Sequence, residues 1–156
     1  MYTEYQPSHL LVPYIDSYWE FKGNPDYGMR IHILPDGCTD FIFTLGEVAN
    51  AVEEGSLIMQ PYRSYFVGPM TKYSELVTYT ESIHMFGVRF LPCGLSCFTN
   101  LPLHEFVNSR VSTNEMKAVF DDTFIEKLGE QKHVTDRIRV VEEYLDRKST
   151  RLNSSH

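Results

Sequence analysis

The sequence lacks the features that mark membrane-spanning and secreted proteins. No run of apolar residues approaches the roughly 20 needed to cross a bilayer. Met1–Ser8 has neither the basic start nor the apolar stretch of a signal peptide. The three cysteines are too few, and odd in number, for a disulfide framework. These absences predict a protein of the reducing cytoplasm that makes no contact with a membrane.

Basic residues are also scarce. The chain has 14 Lys and Arg against 21 Asp and Glu, a net charge of −7. Such a surface forgoes the cationic attraction to phosphate that supplies most non-specific affinity for nucleic acid. We therefore expect no DNA-binding residue in this chain, so that any contact with DNA would come from another domain.

Signatures of metal binding and nucleophilic catalysis are missing as well. The histidines are dispersed and form no His-x-His pair, and Cys93 and Cys97 lack the second ligand pair of a zinc site. Cys38 follows a turn but has no recognisable base or oxyanion signature nearby, so a packed thiol is expected. The sequence predicts no metal, no cofactor and no catalytic residue.

The part of the chain before Leu91 is typical of a β-rich fold. Aromatic residues make up 13% of the sequence, which suits half-buried strands. Pro35-Asp36-Gly37-Cys38 predicts a hairpin turn, because proline presets φ and Asp and Gly tolerate the conformations that reverse the chain. The predicted strands are residues 15–21, 30–34, 39–44, 56–59, 64–68, 75–80 and 82–90.

After Leu91 the pattern changes to short helices. The spacing from Ser112 to Glu115 is that of a capping box. The predicted helices are residues 94–98, 102–107, 112–120 and 134–145.

The last predicted helix has an apolar face that must be buried. Val134, Ile138, Val141 and Leu145 share this face. Two alternatives stay open. The helix packs on the domain's own sheet, or it is a linker helix that forms a homodimer through Val134–Leu145 or leads into another domain.

The last eleven residues, DRKSTRLNSSH, resemble the in-frame translation of a common sequencing adapter. We interpret residues 146–156 as an adapter-derived artefact and predict that they are disordered. The natural reading frame would then continue differently after Leu145. Without these residues the chain has 11 basic and 20 acidic side chains, a net charge of −9.

Three stretches occur together in a characteristic order: Pro13-Tyr14-Ile15 with Tyr18-Trp19, Ile33 to Phe43, and Phe86 to Gly94. In this combination, residues 5–145 resemble the N-terminal sensor domain of a subgroup of AraC/XylS-type transcriptional regulators. The chain departs from that pattern at Cys93, where a glycine is usual.

The resemblance implies a fold and a division of the chain. The fold class is mainly β with C-terminal helices (α+β), as a cupin-like β-barrel or jelly roll followed by short helices. Residues 1–133 would form the sensor domain and residues 134–145 an amphipathic linker helix. A C-terminal domain with two helix-turn-helix units, which this chain does not contain, would bind DNA.

Candidate ligand-binding residues follow from polar positions within apolar strands. Asp40 and Arg89 each interrupt such a strand, and unpaired burial of either charge would be costly. They are expected to form a buried ion pair, to face outward, or to contact a polar ligand. The other candidates, which line the same cavity or pack in the core, are Trp19, His32, Tyr65 and Tyr79.

The sequence therefore predicts the effector-sensing and dimerisation domain of a truncated AraC-type regulator. An unidentified small molecule would bind it and shift its population between two states. No catalysis is expected. The alternative from another class is a free-standing cupin-like metal enzyme, an isomerase or dioxygenase.

Overall fold

The order of elements begins with strands and ends with helices. The computed structural model describes residues 2–23, 30–33, 37–45, 51–53, 62–69, 74–78, 83–99, 103–107, 110–112 and 119–154. The strands are β1 (Tyr2–Tyr5), β2 (Ile15–Gly23), β3 (Arg30–Ile33), β4 (Thr39–Thr44), β5 (Ala51–Glu53), β6 (Ser64–Val67), β7 (Ser74–Thr78), β8 (Ile83–Phe90) and β9 (Arg110–Ser112). Two 3₁₀ helices cover Leu95–Cys97 and Leu103–Phe106, and the α-helices are α1 (Asp122–Glu130) and α2 (Val134–Ser154).

The strands form two antiparallel sheets. One has six strands in the order β1-β2-β8-β4-β6-β9, and the other has three in the order β3-β7-β5. β1 and β9 form the edges of the larger sheet, and no pairing between described strands closes it. The predicted α+β class is confirmed, whereas closure into a cupin-like barrel is not.

The predicted hairpin around Pro35–Cys38 is wrong, although both of its strands exist. β3 pairs with β7 in the small sheet, while β4 pairs with β6 and β8 in the large one. Gly37 does take a left-handed conformation, with φ of +77°. β3 and β4 therefore belong to different sheets, and residues 34–36 between them lie outside the described residues.

One face of the large sheet carries the hydrophobic core. Phe41 and Phe43 alternate with polar or opposite-facing residues along β4 and are buried. Phe120 packs edge-to-face on Phe41, with ring centroids 4.5 Å apart. The ring of Phe124 of α1 packs against the ring of Tyr144 of α2, with centroids 4.4 Å apart and a tilt of 33° between the planes. The two helices thus cover this face.

α2 belongs to the same core as the sheet. Val141 and Leu145 have no exposed surface and Val140 has only 7%. Of the two alternatives for this face, the structure contains packing on the domain's own core. The helix also does not end at Leu145. It continues to Ser154, where disorder was predicted, because this stretch contains no Gly or Pro to stop propagation.

The helix predicted over residues 112–120 lies mostly outside the described residues, which omit 113–118. Ser112 ends strand β9, and residues 119–120 lie in a turn, so a helix over 112–120 is wrong at both ends. The helix actually present, α1, begins after Asp121, whose carboxylate accepts a 2.8 Å hydrogen bond from the Phe124 amide. Asp121 caps α1 in the usual way.

Two smaller predictions concern the loops. The strand predicted at 56–59 lies outside the described residues. Cys93 takes φ of +65°, so the backbone keeps the left-handed conformation that favours the glycine usual at this position.

Candidate functional site

The second face of the large sheet, opposite the helices, gathers four of the sequence-predicted site residues. Trp19 on β2 is aligned with Gly87 on β8, Gly87 with Ile42 on β4, and Ile42 with Tyr65 on β6. Because cross-strand partners share a face, Trp19 and Tyr65 lie on the same side of the sheet.

Asp40 and Arg89 occupy that same side. They are direct cross-strand partners. Asp40 is two residues before Ile42 and Arg89 is two residues after Gly87, and residues two apart on a strand point to the same face. Arg89 Nε lies 3.4 Å from Asp40 Oδ1. The structure thus contains the ion pair, and contact with a ligand stays a prediction.

Trp19 reaches Asp40 across the intervening strand. Its indole Nε1 donates a 3.0 Å hydrogen bond to Asp40 Oδ1. The ring lies over Gly87, where a Cβ would come within 1.9 Å of Trp19 Cε2. Gly87 is therefore needed for close approach of a side chain rather than for backbone freedom.

Strand β1 completes a charged cluster around Arg89. The Nη1 atom of Arg89 lies 3.4 Å from Glu4 Oε1 and 3.9 Å from Asp16 Oδ2. Its Nη2 donates a 3.4 Å hydrogen bond to the hydroxyl of Tyr2, which itself donates to Glu4 at 2.8 Å. The name "Trp19 cluster" is used below for the residues Tyr2, Glu4, Asp16, Trp19, Asp40 and Arg89.

The electrostatics of the cluster keep Arg89 charged. Burial by itself lowers the pKa of Arg89, but Asp40, followed by Tyr2 and Glu4, raises it above its ordinary value. Burial also raises the pKa of Tyr2 to about 12, helped by its hydrogen bond to Glu4. One guanidinium is thus shared by three carboxylates, and the cluster carries a net negative charge.

The remaining sequence-predicted residues are placed less fully. Tyr65 is 3% exposed and lies one strand beyond Asp40. His32 lies on β3, in the small sheet, and its side chain lies outside the described residues, as does all of Tyr79. The described residues therefore bring together Trp19, Asp40 and Arg89.

A second polar cluster, formed by Glu20, His84 and Arg137, lies on the face of the large sheet that packs against the helices. His84 Nε2 lies 2.9 Å from Glu20 Oε2. Arg137 of α2 approaches the same oxygen at 3.4 Å and donates through Nη2 to the Gln131 carbonyl at 2.9 Å. The Nε of Arg137 is buried without a hydrogen-bond partner. Burial lowers the pKa of Arg137, against the opposing effects of Glu20 and Asp136.

Glu142 of α2 makes the other polar contact with β2. Its Oε2 accepts a 3.1 Å hydrogen bond from the Tyr18 hydroxyl and a 2.9 Å bond from the Ser8 amide. Tyr18 has no exposed surface. Burial, and then the charge of Glu142, raise the pKa of Tyr18 well above its ordinary value. α2 is thus attached to β2 at Tyr18 and at Glu20.

Sequence reasoning missed Tyr2, Glu4, Asp16 and Glu142. β1 was not recognised because four residues with mostly exposed side chains give little periodic signal. The alternation of Tyr2 and Glu4 was the only available hint. The partners of Glu142 lie over 120 residues away along the chain.

The described part of the chain also bears on metal binding. No group of three or more His, Cys, Asp or Glu side chains there is arranged to hold a metal ion. The metal-enzyme alternative stays a prediction.

No helix within the described ranges combines the length and the hydrophobicity required for a membrane span.

The architecture defines an α+β domain with a polar cluster on one sheet face and two helices on the other. Residues 3–112 match the family model described as Domain of unknown function (DUF6597). The match covers more than half of the chain, which therefore belongs to this family. No curated protein shows significant sequence similarity to it.

Proposed function

We propose that residues 1–145 are the effector-sensing domain of a cytoplasmic transcriptional regulator of the AraC/XylS type. A small molecule would bind at the Trp19 cluster, within a cupin-like arrangement of the two sheets. The DNA-binding domain would be encoded beyond Leu145. The proposal includes no catalytic step.

The observation that carries this proposal is that β2 contacts the Trp19 cluster on one face and α2 on the other. Trp19 belongs to the polar cluster, whereas its neighbours Tyr18 and Glu20 hold Glu142 and Arg137 of α2. A ligand that displaces the Trp19 indole from Asp40 would move the strand at Trp19. The adjacent residues Tyr18 and Glu20, which hold α2, would then move with it. Consecutive residues of a strand point to opposite faces, so a single strand connects the two sites.

The mechanism that follows is a linkage between ligand binding and the position of α2. An effector shifts the equilibrium only by the difference between its affinities for the two arrangements. Moving a population from mostly inactive to mostly active requires a difference of about 10⁴-fold. The Trp19 cluster, in which Arg89 contacts Asp40, Glu4, Asp16 and Tyr2, offers polar contacts that an effector could exchange.

One further feature supports the proposal. The net charge of −7 disfavours direct DNA contact and leaves that task to another domain. The homodimer through Val134–Leu145 stays a prediction, and its apolar side chains Val141 and Leu145 are already buried within the chain.

The first test is the genomic sequence downstream of codon 145. We expect about 100 further residues, the size of one output domain, with net basic charge and two helix-turn-helix patterns. A natural stop codon directly after Leu145 contradicts the proposal.

The second test uses the full-length product and an effector found by screening for shifts in thermal unfolding. Arg89→Leu should weaken effector binding at least tenfold, as loss of a charged hydrogen-bond partner does. Glu105→Gln, at an exposed residue outside both the Trp19 cluster and α2, is the matched control and should leave binding unchanged. Unchanged affinity in a folded Arg89→Leu protein contradicts the assignment of the site.

A further inference from the structure

One arginine lies buried at the junction between α2 and β2. Arg137 is only 5% exposed, although a guanidinium carries five N–H donors and is rarely buried without partners for them. Its Nη2 donates a 2.9 Å hydrogen bond to the Gln131 carbonyl, and its Nη1 lies 3.4 Å from Glu20 Oε2. Its Nε is buried and has no hydrogen-bond partner among the described residues. The junction thus holds a cation whose donors are incompletely satisfied.

Glu20 does not depend on Arg137 for a partner. His84 Nε2 lies 2.9 Å from the same Glu20 oxygen, closer than Arg137 at 3.4 Å. His84 lies on β8, which pairs with β2, so this contact stays within the sheet and needs no part of α2. Breaking a buried ion pair is usually costly because one charge is left without a partner. Departure of Arg137 avoids that cost, since Glu20 keeps its nearer partner.

Solvation favours the departure of Arg137. Burial lowers the pKa of Arg137, and this effect exceeds the opposing effects of Glu20 and Asp136. The charged form of Arg137 is therefore less favourable at the junction than in water. A guanidinium that moves into solvent regains hydrogen bonds for all its donors, including Nε.

The apolar contacts of α2 are unevenly distributed along the helix. Val141 and Leu145 have no exposed surface. Val134 and Ile138, in the first two turns of α2, are only partly buried against the core. The first two turns are therefore packed less firmly than the turns that contain Val141 and Leu145.

We propose that the Arg137–Glu20 contact is a release point, at which the first two turns of α2 leave β2 while the turns around Val141 and Leu145 stay packed on the core. In the released arrangement Arg137 is hydrated and Glu20 retains His84. The equilibrium belongs to the chain itself, whereas its use as a signal from the Trp19 cluster rests on the function proposed above. Two helical turns detached from a sheet are marginal in water, so their backbone amides become open to hydrogen exchange.

Native-state hydrogen exchange of the full chain in increasing urea tests the release point. The amides of residues 138–140 should exchange through a local opening, with protection about tenfold lower than that of residues 143–145 and little dependence on urea. The amides of residues 143–145 should require global unfolding and show its steep urea dependence. Equal protection and equal urea dependence for the two groups overturn the proposal, because α2 would then open only as a whole.

A substitution of Arg137 tests the cause of the local opening. Arg137→Met keeps an unbranched apolar stem but removes the charge, and replacement of a buried ion pair by apolar side chains is often neutral or stabilising. The variant should raise the protection of residues 138–140 about tenfold. Arg139→Met is the matched control, because the Arg139 side chain is 68% exposed, and it should leave their protection unchanged.

Both variants are first checked for cooperative unfolding. Unchanged or reduced protection of residues 138–140 in folded Arg137→Met overturns the proposal, because the arginine would then hold the helix in place. If Arg137→Met does not fold, the exchange pattern of the unmodified protein decides. Neither measurement uses an effector, so a failure of the release point is distinct from a failure of the proposed effector site.

Discussion

Trp19 and Asp40 are hydrogen-bonded at 3.0 Å although β8 lies between their strands. The contact exists because the residue between them is Gly87, over which the indole lies. A glycine within a central strand weakens the sheet by its own conformational entropy. Here it permits a polar contact that bridges three strands.

Gly87→Ala should therefore destabilise the domain. The new Cβ would come 1.9 Å from Trp19 Cε2, so the indole or the strand must move, and overpacking of this kind costs about 1–3 kcal/mol. The free energy of unfolding in urea measures the effect. Gly129→Ala is the control, because it meets no neighbouring atom and is expected to be neutral or slightly stabilising. Equal stabilities for the two variants would contradict this account.

Asp40→Leu should lower stability and change the environment of the indole. It removes an acceptor from Trp19, which is 8% exposed, and the closest carboxylate from Arg89 Nε. Loss of a partner for buried polar groups costs about 1–3 kcal/mol. Trp19 is the only tryptophan, so the fluorescence emission of the protein reports the change directly.

Two variants calibrate that experiment. Asp40→Asn keeps an oxygen for the indole and should recover part of the loss. Asp16→Asn alters a carboxylate that is 45% exposed and 3.9 Å from Arg89 Nη1, so it should cost under about 1 kcal/mol. A stability loss for Asp16→Asn as large as that for Asp40→Leu would show that the inner contact is not the important one.

The sequence was sufficient to place Asp40 and Arg89 together, because charges within apolar strands are conspicuous. The sequence was not sufficient to predict their outer partners Glu4 and Asp16. Both side chains are 45% exposed, and charged residues at exposed positions do not interrupt an apolar pattern. The pairing of β3 and β4 was also predicted wrongly. Turn residues define a local reversal, whereas the choice of partner strand depends on contacts distant in sequence.

Helix α1 is a second element that the local sequence pattern did not predict. Asp121 before Phe124, Ile125 and Leu128 is a capped amphipathic pattern, but it spans only nine residues. Isolated helices of this length are marginal in water. Its stability comes from packing on the sheet and on Tyr144, which a local pattern does not contain.

Tyr18→Phe should change how stability depends on alkaline pH. The pKa of Tyr18 in the folded protein is raised by burial and by Glu142, above the value of about 10 of an unfolded chain. Its stabilising contribution is complete below about pH 10 and is lost as pH rises towards the folded value, because the unfolded state then releases the proton first. Tyr2, with a pKa raised to about 12, adds to this loss.

Urea unfolding between pH 8 and pH 11.5 measures that dependence. The variant should lose stability more gradually above pH 10 than the unmodified protein, although at pH 8 it is less stable by about 1 kcal/mol for the lost hydrogen bond. Tyr62→Phe, at an exposed phenol, serves as the control. Parallel pH profiles for Tyr18→Phe and the unmodified protein would contradict the role of Tyr18.

Leu145→Ala should show that α2 is part of the core rather than a separable linker. Leu145 has no exposed surface, and truncation of a buried leucine to alanine costs about 2–5 kcal/mol. Glu143→Ala, two residues earlier and exposed, should stay within about 0.5 kcal/mol. Truncation after residue 133 should abolish cooperative thermal unfolding, since it uncovers the side chains that Val141 and Leu145 bury. A truncated domain that still unfolds cooperatively would return α2 to the role of a linker, and effector binding could then reach DNA only through a flexible connection.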